Sequence, residues 1–381
     1  MKTPGTSATL VMMAKMDQTL ALKTQQRLSI LGRMQIAELI EKPEADFAAE
    51  VAKIEKDELF RKLYFGDGKM PPAFQRQKWP SGELHSSFYE IDERRVAGSG
   101  ERVPVEKLAE EQGLAVSAIK KMGRENFEKY FLRGQGLSLG EISKRLGFSK
   151  EEILSIHDFL LDVEIRSEFE VPSSLPAKTP QRGAACIAHL KVLDGEVRFE
   201  FYAPYWARGL YHIRYDLIDG WKTEALSLDE RKRLPFLIKR MESLNLRQSA
   251  LYRVFESLSK IQMDYLSSRI IENLRPISLR GLARRLDLSP STVSRALSRR
   301  SVRLPWEEEV PVIFLLPGRR RVLREIVETW LKNSPVMTDA ELTAKLKAER
   351  GISVSRRTVN AVRHEIGFFT PKKSTLFLSK P

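Results

Sequence analysis

Apolar residues recur at helical spacing along most of this 381-residue chain. A repeat of three to four residues predicts amphipathic helices, because it places the apolar side chains on one face of a helix. Pro43 divides the first such stretch, 20–63, into two helices. A second stretch, 226–266, contains one proline, Pro235, and predicts long helices. We therefore expect a mainly α, multi-domain helical protein.

A different pattern lies in the middle of the chain. Apolar and polar residues alternate on both sides of Asp194-Gly195, a pair that type I′ turns favour. The alternating apolar positions are Leu190, Val192, Val197, Phe199 and Phe201. The sequence predicts one small β-hairpin at this point.

Four segments share a further pattern: a helical apolar repeat, a short turn, and a second helix that begins near a serine. They cover residues 105–119, 139–153, 279–293 and 336–367. The pattern is typical of helix-turn-helix units. The two in the C-terminal third are our candidates for reading DNA.

The unit at 279–293 has strong helix-start signals. Ser278 is expected to cap its first helix, and Ser289 to cap the second, with Pro290 at the first helical position. Val293, Ala296 and Leu297 are expected to share the inner face. The residues predicted to face outward are Ser291, Thr292, Ser294, Arg295, Ser298 and Arg299. Short hydroxyl side chains beside arginines suit the major groove, where arginine can bind guanine through two hydrogen bonds. A structural three-helix unit with a solvated arginine-rich face is the alternative.

The last unit opens with a predicted capping box formed by Thr338 and Glu341. Its second helix follows Ser355, and its predicted inner face holds Val359, Val362 and Ile366. The predicted exposed residues are Arg356, Arg357, Asn360, Arg363 and His364. Arginines near a helix start are well placed for base edges, which recognition helices contact with their N-terminal residues.

The unit at 139–153 differs in charge. Its expected capping boxes are Ser138/Glu141 and Ser149/Glu152, and Glu151 and Asp158 add to an acidic second helix. A phosphate backbone would repel this face. We expect residues 104–165 to contact protein instead.

Overall charge supports a polyanionic partner. The chain has 64 Lys and Arg against 50 Asp and Glu, a formal charge of +14, which favours nucleic acid. Cys186 is the single cysteine, so the chain cannot build a disulfide framework or a cysteine zinc site. The five histidines are scattered, and the paired acids lie at helix starts. We therefore predict no metal, no cofactor and no catalytic residues. The sequence has no signal-peptide or membrane-spanning pattern, so we expect a cytoplasmic protein. Because no catalytic residues are predicted, we also expect that it is not an enzyme.

Clusters of glycine and proline set the predicted domain boundaries. We expect N-terminal helices over 1–64, a linker over 65–103, a helical region with the β-hairpin over 104–226, long helices with a helix-turn-helix over 227–318, and a C-terminal DNA-binding domain over 319–381.

Several motifs resemble the sigma-54 (sigma-N) family of bacterial RNA polymerase sigma factors. Residues 355–363 read S-R-R-T-V-N-A-V-R, similar to the signature box A-R-R-T-V-A-K-Y-R of that family. The stretch 335–342 resembles the P-L-S-D-x-x-I that precedes the box, and 291–295 equals the family's S-T-V-S-R. Arg247, Leu251, Gln262 and Tyr265 are similar to the pattern of its long helix.

The resemblance implies roles for named residues. It places Arg356, Arg357, Thr358, Asn360 and Arg363 at the upstream promoter element, a GG step, and Ser291, Thr292, Ser294, Arg295 and Arg299 at the downstream element. Leu20, Leu22, Gln25, Gln26 and Leu28 look like the leucine- and glutamine-rich region that meets the activator.

The partners implied are core RNA polymerase, promoter DNA of the -24/-12 (GG/GC) type and an AAA+ ATPase activator on which opening of the promoter depends. No membrane partner is expected. One alternative is a multi-domain helix-turn-helix repressor or replication initiator that does not bind polymerase. Another is a sigma-like protein that binds polymerase without supporting transcription.

Overall fold

The computed structural model describes residues 37–89, 113–133, 136–167 and 184–368. These residues form two compact units. The N-terminal unit contains 37–167 apart from the gaps, 185–188 and 200–252, and the C-terminal unit contains 189–199 and 253–368.

The N-terminal unit is built mostly of helices. They are α1 (Glu44–Glu55), α2 (Glu58–Phe65), α3 (Gly113–Met122), α4 (Arg124–Phe127), α5 (Leu139–Leu146), α6 (Lys150–Ser167), α7 (Pro204–Ala207), α8 (Tyr215–Glu224) and α9 (Leu228–Ile261), which belongs to this unit as far as Tyr252. Buried aromatic side chains, among them Phe47, Phe60 and Trp206, fill its core.

The predicted hairpin is present as β3 (Ala185–Leu193) and β4 (Glu196–Phe201). Asp194 and Gly195 have φ of 51° and 76°, the positive values that a type I′ turn requires at both central residues. The expected fold class is confirmed, because the described residues are mainly helical. No helix among them is long and apolar enough to cross a membrane.

Part of the segment predicted as a linker is folded. β1 (Phe74–Gln77) pairs antiparallel with β5 (Leu210–Ile213), and β2 (Gly82–Leu84) lies next to β4. Trp79, between β1 and β2, stacks on Tyr252 at a centroid distance of 4.0 Å. The glycines and prolines here separate short strands whose pairing partners lie more than a hundred residues away, so local composition resembled that of a linker. Residues 90–103 lie outside the described part of the chain.

A buried ion cluster holds the N-terminal unit together. Glu55 at the end of α1 lies 2.5 Å from Arg76 of β1 and 2.8 Å from Arg208, which follows α7. Arg208 also pairs with Glu164 of α6 at 2.6 Å. Burial alone would raise the pKa of the Glu55 carboxyl, but Arg208 and Arg76 lower it well below its usual value. Because these charges are removed from water, loss of one partner would leave an uncompensated buried charge.

The C-terminal unit continues α9 into a series of shorter elements. They are α10 (Met263–Ser268), α11 (Leu279–Leu286), α12 (Pro290–Leu297), β6 (Arg300–Arg303), β7 (Glu309–Pro311), α13 (Arg319–Asn333), α14 (Asp339–Arg350) and α15 (Arg356–Glu365). The last three helices enclose a core of their own, in which Val322, Ile326, Leu342, Leu346 and Val359 are almost inaccessible. Both helix-turn-helix segments that are candidates for DNA binding lie in the C-terminal unit.

Candidate nucleic-acid interface

The first helix-turn-helix consists of α11 and α12. Ser278 caps α11 by accepting a hydrogen bond from the Gly281 amide (3.0 Å), and Ser289 caps α12 by accepting one from the Thr292 amide (3.1 Å). Asp287, in the turn, takes the left-handed conformation with φ 53°. Val293, Ala296 and Leu297 are buried, as the helical pattern predicts. The local sequence therefore specifies both the start and the inner face of α12.

The outer face of α12 carries four of the five residues expected at a downstream element. Ser291 and Ser294 are exposed, and Thr292 and Arg295 are half-buried. The hydroxyls of Ser291 and Thr292 each lie 2.8 Å from that of Ser289. The start of α12 thus presents a row of small hydroxyl side chains, which allows a helix to approach a groove closely.

Arg299, the fifth residue, lies beyond the end of α12, although the sequence predicted it on the outer face of that helix. α12 ends at Leu297, Ser298 is extended, and Arg299 has φ 56°. The buried Arg300 ends the helix by donating to the carbonyl oxygens of Arg295 (3.0 Å) and Ala296 (3.3 Å). The chain then reverses into β6, so Arg299 is exposed in a turn.

A short β-hairpin follows α12, and sequence reasoning missed it. β6 pairs antiparallel with β7, with Val302 opposite Val310 and Arg303 opposite Glu309. Trp306 lies in the loop between the strands and packs edge-on against Tyr265 at 5.3 Å. The alternation of polar and apolar residues over 301–304 is the signal that would have indicated the first strand.

Gln262 attaches the helix-turn-helix to the end of α9. Its side-chain amide donates to the carbonyl oxygens of Arg275 (2.8 Å) and Leu315 (3.0 Å), and its oxygen accepts from the Arg275 amide (2.8 Å). The residue is fully buried. Its three hydrogen bonds fix the segments before α11 and after β7 relative to each other.

The surface around the first helix-turn-helix is rich in arginine. Residues 269–303 contain nine arginines, two acidic residues and no lysine. Arg280, Arg284 and Arg285 of α11 are exposed, and within the described residues none of them forms an ion pair. Unpaired arginines on one surface can neutralise phosphates, which is the source of most non-specific affinity for DNA.

The second helix-turn-helix consists of α14 and α15. The predicted capping box is present: the Thr338 hydroxyl accepts from the Glu341 amide (3.3 Å), and the Glu341 carboxylate accepts from the Thr338 amide (2.7 Å). The hydrogen bonds that the Glu341 carboxylate accepts from the amide and the hydroxyl of Thr338 lower the pKa of Glu341. Gly351 ends α14 with φ 63°, and Ser355 caps α15 by accepting from the Thr358 amide (3.1 Å).

The five residues expected at an upstream element fall into two groups. Arg356 and Arg357, in the first turn of α15, are exposed, and Thr358 is half-buried beside the Ser355 hydroxyl at 2.9 Å. Asn360 donates to Asp339 of α14 at 2.8 Å. Arg363 was predicted to be exposed, and this is wrong. It is 0% exposed and lies 3.1 Å from Asp339, because the second turn of α15 packs against the start of α14.

The acidic unit has the predicted capping boxes at the starts of α5 and α6. Part of its acidic face is used within the N-terminal unit, since Asp158 pairs with Arg61 of α2 and Asp162 lies 2.7 Å from Lys56. Contact of this unit with another protein stays a prediction. The residues expected to meet an activator, Leu20, Leu22, Gln25, Gln26 and Leu28, lie outside the described part of the chain.

One segment of the chain matches a known protein family. Residues 231–308, which include most of α9, the first helix-turn-helix and β6, match the family model described as "Sigma-54, DNA binding domain". This segment is therefore similar to the DNA-binding domain of sigma-54 factors. The matched segment contains the S-T-V-S-R motif at 291–295, whereas the box at 355–363 lies outside it.

Two curated sigma-54 relatives are similar over part of the chain. A protein of Clostridium kluyveri named "Putative RNA polymerase sigma-54 factor" is 28% identical over 155 residues, covering 36% of this chain and 32% of the relative. The "RNA polymerase sigma-54 factor" of Xanthomonas euvesicatoria is 31% identical over 136 residues, covering 32% of this chain and 28% of the relative. The chain thus spans about a third of the length of these relatives.

A solved structure is also similar. It is the crystal structure of Aquifex aeolicus sigmaN bound to promoter DNA, with 18% sequence identity and a TM-score of 0.34, covering 74% of this chain and 97% of that one.

Proposed function

We propose that this chain is a sigma-54-like alternative sigma factor. In this proposal it binds core RNA polymerase and directs it to -24/-12 promoters, α15 contacting the GG element and α12 the GC element. Opening of the promoter then depends on an AAA+ ATPase activator. The chain itself acts by binding, without a catalytic residue.

One observation carries the proposal. The C-terminal unit holds two capped helix-turn-helix units whose second helices present arginines or small hydroxyl side chains, and one of them lies in the segment that matches the sigma-54 DNA-binding model. Arg356 and Arg357 lie at a helix start, where recognition helices contact base edges. The exposed arginines of α11 supply sequence-independent attraction to phosphate.

DNA recognition is tested with the full chain and a labelled duplex that contains GG and GC elements at promoter spacing. We expect retardation of this duplex at concentrations that leave a duplex with both elements replaced unbound. Equal binding of the two duplexes at several salt concentrations would refute promoter recognition. Salt must be varied because phosphate contacts alone give strong binding at low ionic strength.

Polymerase binding and activator dependence need separate experiments. We expect the chain to co-elute with core RNA polymerase in size-exclusion chromatography. We also expect transcription from a GG/GC promoter only when an AAA+ activator and ATP are both present. Failure to associate with polymerase would refute the sigma-factor role, and transcription without ATP would refute the activator requirement alone.

A further inference from the structure

The carboxylate of Asp339 connects the two helices of the second helix-turn-helix. Asp339 is the first residue of α14, and its Oδ2 accepts a hydrogen bond of 2.8 Å from the side-chain amide of Asn360. Its Oδ1 lies 3.1 Å from Arg363 Nε. The guanidinium of Arg363 also donates to the carbonyl oxygen of Met337, immediately before α14. One carboxylate therefore engages two residues of the second turn of α15.

These contacts remove Asn360 and Arg363 from the surface that could meet DNA. Arg363 is completely buried, and Asn360 is half-buried with its amide committed to Asp339. Beyond the first turn, the exposed residues of α15 are Ala361, His364 and Glu365, and Glu365 pairs with Arg320. Ala361 cannot form a side-chain hydrogen bond with a base. The exposed arginines of α15 are therefore Arg356 and Arg357, both in its first turn.

Charge makes the arrangement testable. An acid beside a DNA-binding helix should weaken binding by repelling phosphate, so its removal should strengthen binding. Asp339, however, is one-fifth exposed at its side chain and faces the buried Arg363. Removal of this carboxylate would leave the arginine without its counter-charge and α15 without its contact to the start of α14.

We propose that α15 is divided into two functional parts: its first turn, with Arg356 and Arg357, reads bases, and its second turn, with Asn360 and Arg363, is held by Asp339, which acts as a positioning residue for the helix. This rests on the proposed function, because it assumes that α15 reads the upstream element. It reassigns two of the five residues of the expected upstream set, Asn360 and Arg363, from base contact to support of the helix.

The test compares Asp339→Ala with Glu349→Ala in the full chain. Glu349 is an exposed acid on the same helix, so both variants lose one negative charge. Affinity is measured by fluorescence anisotropy for a GG duplex and for duplexes with each base pair of the element replaced in turn. We expect Glu349→Ala to bind all duplexes equally well or slightly better. We expect Asp339→Ala to lose discrimination at every position of the element, on the order of tenfold, despite the lost repulsion.

Two further variants separate the parts of α15. Arg357→Gln should lose discrimination at one base pair of the element, on the order of tenfold, because a base-reading arginine is specific for the base it contacts. Arg363→Gln should instead reduce discrimination evenly along the element, because Arg363 is buried and supports the helix. Asn360→Ala should reduce discrimination evenly along the element, because Asn360 supports the whole helix through Asp339. Replacement of a residue that reads a base would instead reduce discrimination at one base pair only.

Hydrogen exchange of α15 in the protein without DNA gives a readout that does not depend on promoter recognition. We expect faster exchange in Asp339→Ala than in Glu349→Ala or the unmodified protein. Equal exchange, or tighter DNA binding by Asp339→Ala, would overturn the positioning role. Unmodified protein that binds every duplex equally would instead overturn the proposed function together with base reading by the first turn, while the exchange data would still decide whether Asp339 holds the helix.

Discussion

Gln262 offers a sharp prediction about what positions the first helix-turn-helix. Its side chain makes three hydrogen bonds, two with the backbone of Arg275 and one with the carbonyl oxygen of Leu315, all of 2.8 to 3.0 Å. Replacement by methionine retains the length and most of the volume of the side chain but removes every one of these hydrogen bonds. The perturbation is thus confined to polar contacts.

The expected cost follows from the environment of each partner. Arg275 is exposed, so its backbone groups can recover hydrogen bonds with water, at a net loss of about 1 kcal/mol or less each. The contact with the Leu315 carbonyl is buried, and an unsatisfied buried acceptor costs roughly 1–3 kcal/mol. We therefore expect Gln262→Met to destabilise the attachment of α11 and α12 by about 1–5 kcal/mol. In local opening this corresponds to a factor of about 5 to 5,000.

The assay is hydrogen exchange of the α11 and α12 amides in the full chain, combined with anisotropy on the GC element. Gln248→Met is the matched control. Gln248 is a buried glutamine on α9 whose side-chain oxygen has no hydrogen-bond partner among the described residues. We expect this control to leave exchange in α11 and α12 unchanged. An acceleration below about threefold in Gln262→Met, or one equal to that of the control, would refute the role given to the Gln262 amide.

Three other variants test separate features. Arg356→Ala should reduce discrimination at one base pair of the upstream element by roughly 1–3 kcal/mol, measured on single-substituted duplexes; an equal loss on unrelated DNA would show that it contacts phosphate only. Ser289→Ala should destabilise α12 by about 1 kcal/mol, measured by hydrogen exchange, and an unchanged rate would contradict the cap. Burial raises the pKa of Glu164 from 4.5 to about 7, so its contribution to stability is present below pH 4.5 and is lost as the pH rises to about 7. Glu164→Gln should remove this loss in thermal unfolding between those pH values, and a profile parallel to that of the unmodified protein would refute the assignment.

Local signals in the sequence predicted the framework of the DNA-binding region well. Ser289 with Pro290, and Thr338 with Glu341, begin helices at the expected residues. A cap depends on residues no more than three positions apart, so its chemistry is complete within a short segment. The Asp194-Gly195 turn is correct for the same reason.

The exposed or buried state of individual polar residues was less predictable. Arg363 lies at the helical spacing of an outward residue after Arg356, yet it is buried against Asp339. Arg299 was expected on α12, but Arg300 ends that helix from the strand that follows. In both cases the decisive partner belongs to another element, and the spacing within one helix carries no information about it.

The sequence by itself determined that this chain is mainly helical, where its capped helices begin, and which motifs resemble the sigma-54 family. Each of these depends on neighbouring residues or on a short string of identities. Only the tertiary structure decided that Glu55, Arg76 and Arg208 form a buried ion cluster, that residues 74–84 pair into strands, and that Asp339 holds the second turn of α15. These features join residues from 21 to more than 150 positions apart, and such contacts exist only once the elements have packed together.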